Sequence, residues 1–171
     1  MINDLILPEK TRLVLSDGNK AVFEIAPLYP GYGVTLGNAL RRVLLSSLSG
    51  AAITSVKIEN VLHEFSTIPG VLEDVLDIIF NLKKIRIRMD IEGPVELKLE
   101  AKGKREVYAS DIKKVAGVEI ITPNVLIATL TSSQSDLKMT LNVEKGRGYS
   151  AAEERSKGKI VAGEIILDAI F

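Results

Sequence analysis

The chain has 171 residues, 46% of them hydrophobic, and its 22 basic and 22 acidic residues cancel to a formal charge of zero. That length holds one large domain or two small lobes with a real core, and the neutral balance argues against a dedicated nucleic-acid binder, which carries a basic excess. Cysteine is absent, which excludes disulfides, thiolate metal sites and thiol catalysis and suits a reducing cytosol without requiring one.

Residues 1–10, Met-Ile-Asn-Asp-Leu-Ile-Leu-Pro-Glu-Lys, have no basic leader before a sustained apolar core, and Pro8 interrupts them, so no signal peptide is expected. No apolar run approaches the ~20 residues of a membrane span, which fits a soluble protein. Residues 11–15 and 20–26 read as two strands joined through Ser16-Asp17-Gly18-Asn19, where Asp-Gly favours a tight hairpin. Pro27 and Pro30 should end the ladder, because proline has no N–H to donate.

A glycine-rich turn, Gly31-Tyr-Gly33-Val-Thr-Leu-Gly37, then opens an amphipathic helix, with Thr35 expected as N-cap and Gly50 as C-terminal stop. Leu36, Leu40, Val43, Leu44 and Leu48, with Ala39 between them, make a band wider than one core-facing stripe. Part of that band should meet another protein surface. Arg41 and Arg42 sit within it, and arginine among exposed aliphatics is a common composition for a protein–protein contact. The plainer reading of the pair is the wet side of the helix.

Residues 53–62 return to strand pattern. A second helix is expected after Thr67-Ile68-Pro69-Gly70, with Leu72, Val75, Leu76, Ile79 and Leu82 on its apolar face. Glu73, Asp74 and Asp77 come early and Lys83 and Lys84 late, which complements a helix dipole. The period then changes to two. Ile85, Ile87, Met89 and Ile91 alternate with Arg86, Arg88 and Asp90, and Val95, Leu97, Leu99 and Ala101 repeat the pattern beyond the Glu92-Gly93-Pro94 turn. These read as two half-buried antiparallel strands joined by that turn. Shorter strands are expected at 105–109, 118–121, 125–130, 137–144 and 160–168, with 146–159 a mobile surface loop. Without regular strand–helix alternation, the class is α+β.

Four catalytic or binding sites can be sketched. The Gly31–Gly37 turn invites a phosphate loop, but G-x-G-x-x-x-G is not the dinucleotide fingerprint and no lysine with Ser/Thr completes a P-loop. Glycines serving a tight turn and close packing are favoured. His63, the one histidine, stands beside Glu64 with Asp74 and Asp77 downstream. A single histidine without metal-ligand spacing reads as structural. Ser46 and Ser47 lie inside a helix, outside any G-x-S-x-G elbow. Lys145-Gly-Arg-Gly-Tyr149 could follow a nucleic-acid backbone, though a surface turn is the simpler reading.

Gly33-Val-Thr-Leu-Gly-Asn-Ala-Leu-Arg-Arg-Val-Leu-Leu-Ser-Ser47 resembles the signature helix of the α subunit of bacterial DNA-directed RNA polymerase. The stretch Val61–Lys83 resembles a second signature block, and Glu144–Tyr149 and Leu167-Asp-Ala169 echo two more in the same order. The resemblance covers nearly the whole chain. It implies an α-subunit N-terminal domain of two lobes. Residues 1–50 and 161–171 would form the dimerisation and assembly lobe, and 51–160 a β-rich insert with one helix.

It further implies a scaffold that dimerises and nucleates assembly of the β and β′ subunits for transcription. The nucleotidyltransferase chemistry would then belong to those partners, so whether this chain alone counts as an enzyme stays open. No catalytic residue, metal or cofactor is expected on it. Arg42, Leu45, Lys83 and Leu167 match large-subunit contact positions, while Tyr32, Leu36 and Val43 match positions buried between two α subunits.

Family members continue beyond Phe171 with more strands, a long dimerisation helix, a linker and a DNA-binding domain. The resemblance therefore implies a fragment with weakened or lost self-association and no direct nucleic-acid binding. The expected setting is the cytoplasm of a bacterium, at the nucleoid through the polymerase, or a plastid. The alternative reading is a small nucleotide-binding or hydrolytic domain built on Gly31–Gly37 and His63. A third is a stand-alone nucleic-acid module using Lys145–Tyr149.

Overall fold

The N-terminal hairpin forms as its sequence dictates. In the computed structural model, which describes residues 8, 10–156 and 163–171, β1 (Lys10–Asp17) pairs antiparallel with β2 (Lys20–Ala26). The register closes at Asp17 opposite Lys20, with a bulge between Leu13 and Leu15. The ladder ends at Ala26, where Pro27 withdraws its donor.

Helix α1 (Tyr32–Ser46) begins earlier than Thr35. Gly31, at a φ of +89°, holds the left-handed conformation that L side chains avoid, and the Tyr32 N–H already bonds the Tyr29 carbonyl at 3.0 Å. Thr35 thus lies within the helix, as do Gly33 and Gly37. Gly50 does not stop it either. It belongs to β3 (Ser49–Ile58), where a Cβ would stand 2.6 Å from the Phe171 carbonyl carbon. Its missing side chain lets another backbone pass.

The chain divides into two compact units, residues 1–45 and 46–171. Antiparallel sheet is the main regular structure of the second. Among the described residues, β5 (Val95–Lys102), β9 (Asp136–Arg147), β3, β4 (Ile87–Met89) and β7 (Val118–Ile120) lie in that order, and β11 (Glu164–Ile166) also pairs with β3. Two smaller pairs join β6 (Arg105–Tyr108) to β8 (Leu126–Leu130) and β10 (Tyr149–Ser150) to β12 (Ala169–Ile170). With α2 (Val75–Leu82) and the one-turn α3 (Ala152–Arg155), the class is α+β as expected.

Several local expectations change. The strands on either side of Glu92-Gly93-Pro94 do not pair with each other. β4 shrinks to three residues between β3 and β7, and β5 pairs along its whole length with β9. Alternation reports a half-buried strand but not its partner. Residues 146–156 are not a loop, since β9 runs through Arg147 and β10 and α3 follow. The rest of that expected loop, and residues 160–162 of the expected last strand, lie outside the described residues, as do 1–7 and 9.

Helix α2 starts at Val75, later than its apolar pattern implies, because the preceding residues are bound elsewhere. Glu73 accepts hydrogen bonds from the Thr129 N–H (2.6 Å) and hydroxyl (2.8 Å), and the Leu72 N–H bonds the Thr129 carbonyl at 2.9 Å. Leu72 is consequently exposed. Asp74 becomes the N-cap, accepting from the Asp77 N–H at 2.7 Å. The helix buries Val75, Ile78, Ile79 and Leu82.

The sheet's inner face supplies Val56, Leu97, Leu99, Leu141 and Val143, each essentially inaccessible. A polar triangle joins three strands on the opposite face. Asn142 Nδ2 donates to Ser55 Oγ and Glu164 Oε1, both at 2.9 Å, and Ser55 donates to Glu164. This binds β9, β3 and β11 beside the bulge between Ile53 and Ser55.

Replacing Glu73 tests how residues 71–73 are held. Glu73→Ala strips both acceptors from Thr129 and should lower unfolding free energy by about 2–3 kcal/mol in urea titration. Glu73→Gln, which keeps one acceptor, should cost clearly less. Equal losses would contradict the bidentate arrangement.

Candidate functional site

None of the sketched small-molecule sites is assembled. Gly31 precedes α1 while Gly33 and Gly37 lie within it, so there is no loop to wrap a phosphate. His63 is exposed and its Nδ1 lies 3.1 Å from the Ser66 hydroxyl. Asp74, one of its supposed partners, is committed to capping α2. Among the described residues, no group of three or more histidines and acids could hold a metal ion. Lys145 and Arg147 lie in β9 and Tyr149 in β10, and Lys145 Nζ pairs with Glu92 at 2.7 Å. That stretch is sheet rather than a backbone-following loop. Arg88 bonds Glu119 at 3.0 Å and Arg86 the Lys83 carbonyl at 3.1 Å, both on the exposed side.

What stands out is apolar exposure on α1. None of its residues is buried, and Tyr32, Val43, Leu44 and Leu45 are 47%, 52%, 59% and 67% accessible. Such residues cost free energy in water unless something covers them. Leu36 is half-buried, and Arg41 and Arg42 are exposed. At about 100° per residue, Tyr32, Leu36 and Val43 fall within roughly 40° of one another. Arg42 and Leu45 centre about 130° away on the other flank. The helix therefore presents two separate faces.

In the second unit, Lys83 caps the C-terminus of α2 and is exposed. Its Nζ lies 3.5 Å from Asp168 Oδ2, while Asp168 Oδ1 accepts the Ala152 N–H at 2.9 Å. Leu167 differs from expectation. Its side chain is 3% accessible and packs in the core, and its N–H bonds the Thr54 carbonyl at 2.8 Å. It offers no side-chain surface. A cleft of about 470 Å³ beside Lys83 is bounded by residues 50–53, Leu82, Ile85, Tyr149 and residues 168–171.

Asp168 is the functional candidate that sequence reasoning passed over. Its partners are distant in the chain, so no local spacing announces it. The Ala152 N–H, above all, holds its carboxyl below the ordinary aspartate range. Partial desolvation opposes this, and Lys83 and the Tyr149 side chain reinforce it.

The sequence model of the RNA polymerase Rpb3/RpoA insert domain matches residues 56–171. The chain belongs to this family. It is also similar along most of its length to proteins called DNA-directed RNA polymerase subunit alpha. The relative from Roseiflexus sp. (strain RS-1) is 51% identical over 168 residues, which are 98% of this chain and 51% of that protein. The one from Symbiobacterium thermophilum is 50% identical over 162 residues, 95% of this chain and 51% of the relative. That from Herpetosiphon aurantiacus is 51% identical over 168 residues, 98% and 50%. The chain spans about half the length of the curated relatives it matches. The matched insert-domain residues hold Lys83, Leu167 and Asp168, while the longer similarity to the α subunits takes in α1. No helix among the described residues is long and apolar enough to cross a membrane.

The lowered Asp168 value fixes a pH dependence. Folding favours its carboxylate, so the stabilisation is complete above the ordinary aspartate value of about 3.9 and is lost as pH falls through the lower folded value. Asp168→Asn should be less stable than the unsubstituted chain near neutrality, and the difference should shrink on acidification below about pH 4. Thermal unfolding across that range measures it. A gap independent of pH would exclude a charge effect.

Proposed function

We propose that this chain is the assembly region of an RNA polymerase α subunit, a non-catalytic scaffold for DNA-directed RNA synthesis. In this reading it pairs with a second α subunit through the face of Tyr32, Leu36 and Val43. It meets the β and β′ subunits through Arg42 with Leu45 and, separately, through Lys83. Leu167, buried in the core, anchors the backbone from which Asp168 reaches Lys83. The role requires no cofactor and no catalytic group from this chain. Its setting is the cytoplasm, at the nucleoid through the polymerase.

The observation that carries the reading is the two-faced exposure of α1. A helix that packed on its own core alone would have one apolar stripe and a polar back. Here aliphatic side chains are exposed on both flanks, and an arginine accompanies one of them. The names of the similar proteins supply the polymerase as the assembly, and the family resemblance supplies which face meets which subunit. The nucleotide-binding or hydrolytic alternative has no assembled site to support it.

Arg42→Ala should weaken capture of purified β subunit by about 2–5 kcal/mol, as expected for truncating a desolvated charged contact. Folding stability should move by about 1 kcal/mol or less. Undiminished capture by a normally folded variant would remove Arg42 from the interface. Val43→Glu addresses the other face. It should lower self-association in sedimentation equilibrium while leaving β capture by residual monomer intact. If it abolishes β capture and spares self-association, the two faces are assigned the wrong way round.

A further inference from the structure

We propose that Asp168 is a positioning residue, which aims the Lys83 ammonium and ties it to α3 so that Lys83 reaches the large subunit already oriented. This rests on the reading of Lys83 as a large-subunit contact.

The backbone around Asp168 is fixed on both sides. Leu167 before it and Ala169 after it are 3% and 1% accessible. The Leu167 N–H bonds Thr54 of β3, and Ala169 pairs with Ser150 of β10. The carboxylate therefore projects from a rigid base. Its two oxygens do different work: Oδ1 takes the first backbone N–H of α3 at 2.9 Å, and Oδ2 faces Lys83 Nζ at 3.5 Å. Residues in α3 and at the end of α2, far apart in sequence, are held to one side chain.

Lys83 gains most from such an anchor. A lysine carries considerable rotamer entropy, and a contact made with a wandering side chain must meet that cost on binding. Its neighbours are restrained otherwise: Lys84 donates to Asn81 Oδ1 at 2.9 Å and Arg86 to the Lys83 carbonyl at 3.1 Å. The separation also leaves Lys83 open to a partner. At 3.5 Å the Lys83–Asp168 pair is longer than the ~2.7–2.9 Å of a closed charge-assisted bond. An ammonium has three donors, so Lys83 is steered by Asp168 and still has N–H groups for an acceptor on the partner. Asp168 presents Lys83 rather than sequestering it.

A double-mutant cycle on the whole chain, with dissociation constants for purified β and β′ subunits as readout, tests this. Asp168→Asn keeps an acceptor for the Ala152 N–H and removes the charge, while Asp168→Ala removes both and measures the stability loss. Lys83→Met should weaken binding by about tenfold or more to at least one large subunit, and Asp168→Asn by about threefold to tenfold to the same one. In the Lys83→Met background, Asp168→Asn should add nothing. The inference fails, with the Lys83 contact intact, if Lys83→Met weakens binding but Asp168→Asn does not, or tightens it. It fails equally if Asp168→Asn costs the same factor with and without Lys83, because that is the mark of a merely structural role. Unchanged binding by Lys83→Met would overturn the Lys83 contact itself, and this inference with it.

Discussion

The second unit depends on β3 being bonded along both edges. One edge pairs with β9 from Ser49 to Ile58, and the other takes β4 at Ala51 and β11 at residues 55–57. A buried strand with an unmet edge would leave a row of costly N–H and C=O groups. Here the two short strands divide that edge between them. The division brings β11, and the Leu167–Asp168 pair that follows it, against the core. The Ser55–Asn142–Glu164 triangle ties the three strands at the bulge, where a one-residue slip would turn every inward side chain outward.

That arrangement sets a charged pair on the surface of the second unit. Leu167 is buried, so the backbone of its neighbour Asp168 is anchored, and Asp168 in turn faces Lys83 at the end of α2. Burial at one position becomes orientation at the next. The first unit works on the opposite principle. Its hairpin and α1 bury no side chain among the described residues, and their aliphatics stay available. Apolar surface of the kind that the second unit buries stays accessible in the first.

Legibility followed the range of the interactions involved. The N-terminal hairpin was readable because Asp17-Gly18 is a local turn signal. β5 and β9 were readable because alternation is imposed by burial of one face. α1 was recognisable as a helix, but its start belonged to Gly31 and not to Thr35, the better capping residue by type. The start of α2 was displaced by a non-local event, capture of Glu73 by Thr129. The pairing of β4 and β5 across Gly93 looked inevitable from sequence proximity, and long-range partners won. At the site, Arg42, Leu45 and Lys83 are exposed, while their roles come from resemblance alone. Leu167 proved buried, and Asp168 escaped notice because its partners lie in other segments.

The central claim is that the faces of α1 and the Lys83 region are assembly surfaces. Amide hydrogen exchange of the chain alone and in complex with the polymerase large subunits tests it most directly. The account predicts new protection in α1 around Arg42 and Leu45 and at the end of α2 around Lys83, with the β6–β8 pair unchanged. Stable complexes that left α1 and residues 79–85 exchanging as in the free chain would contradict it.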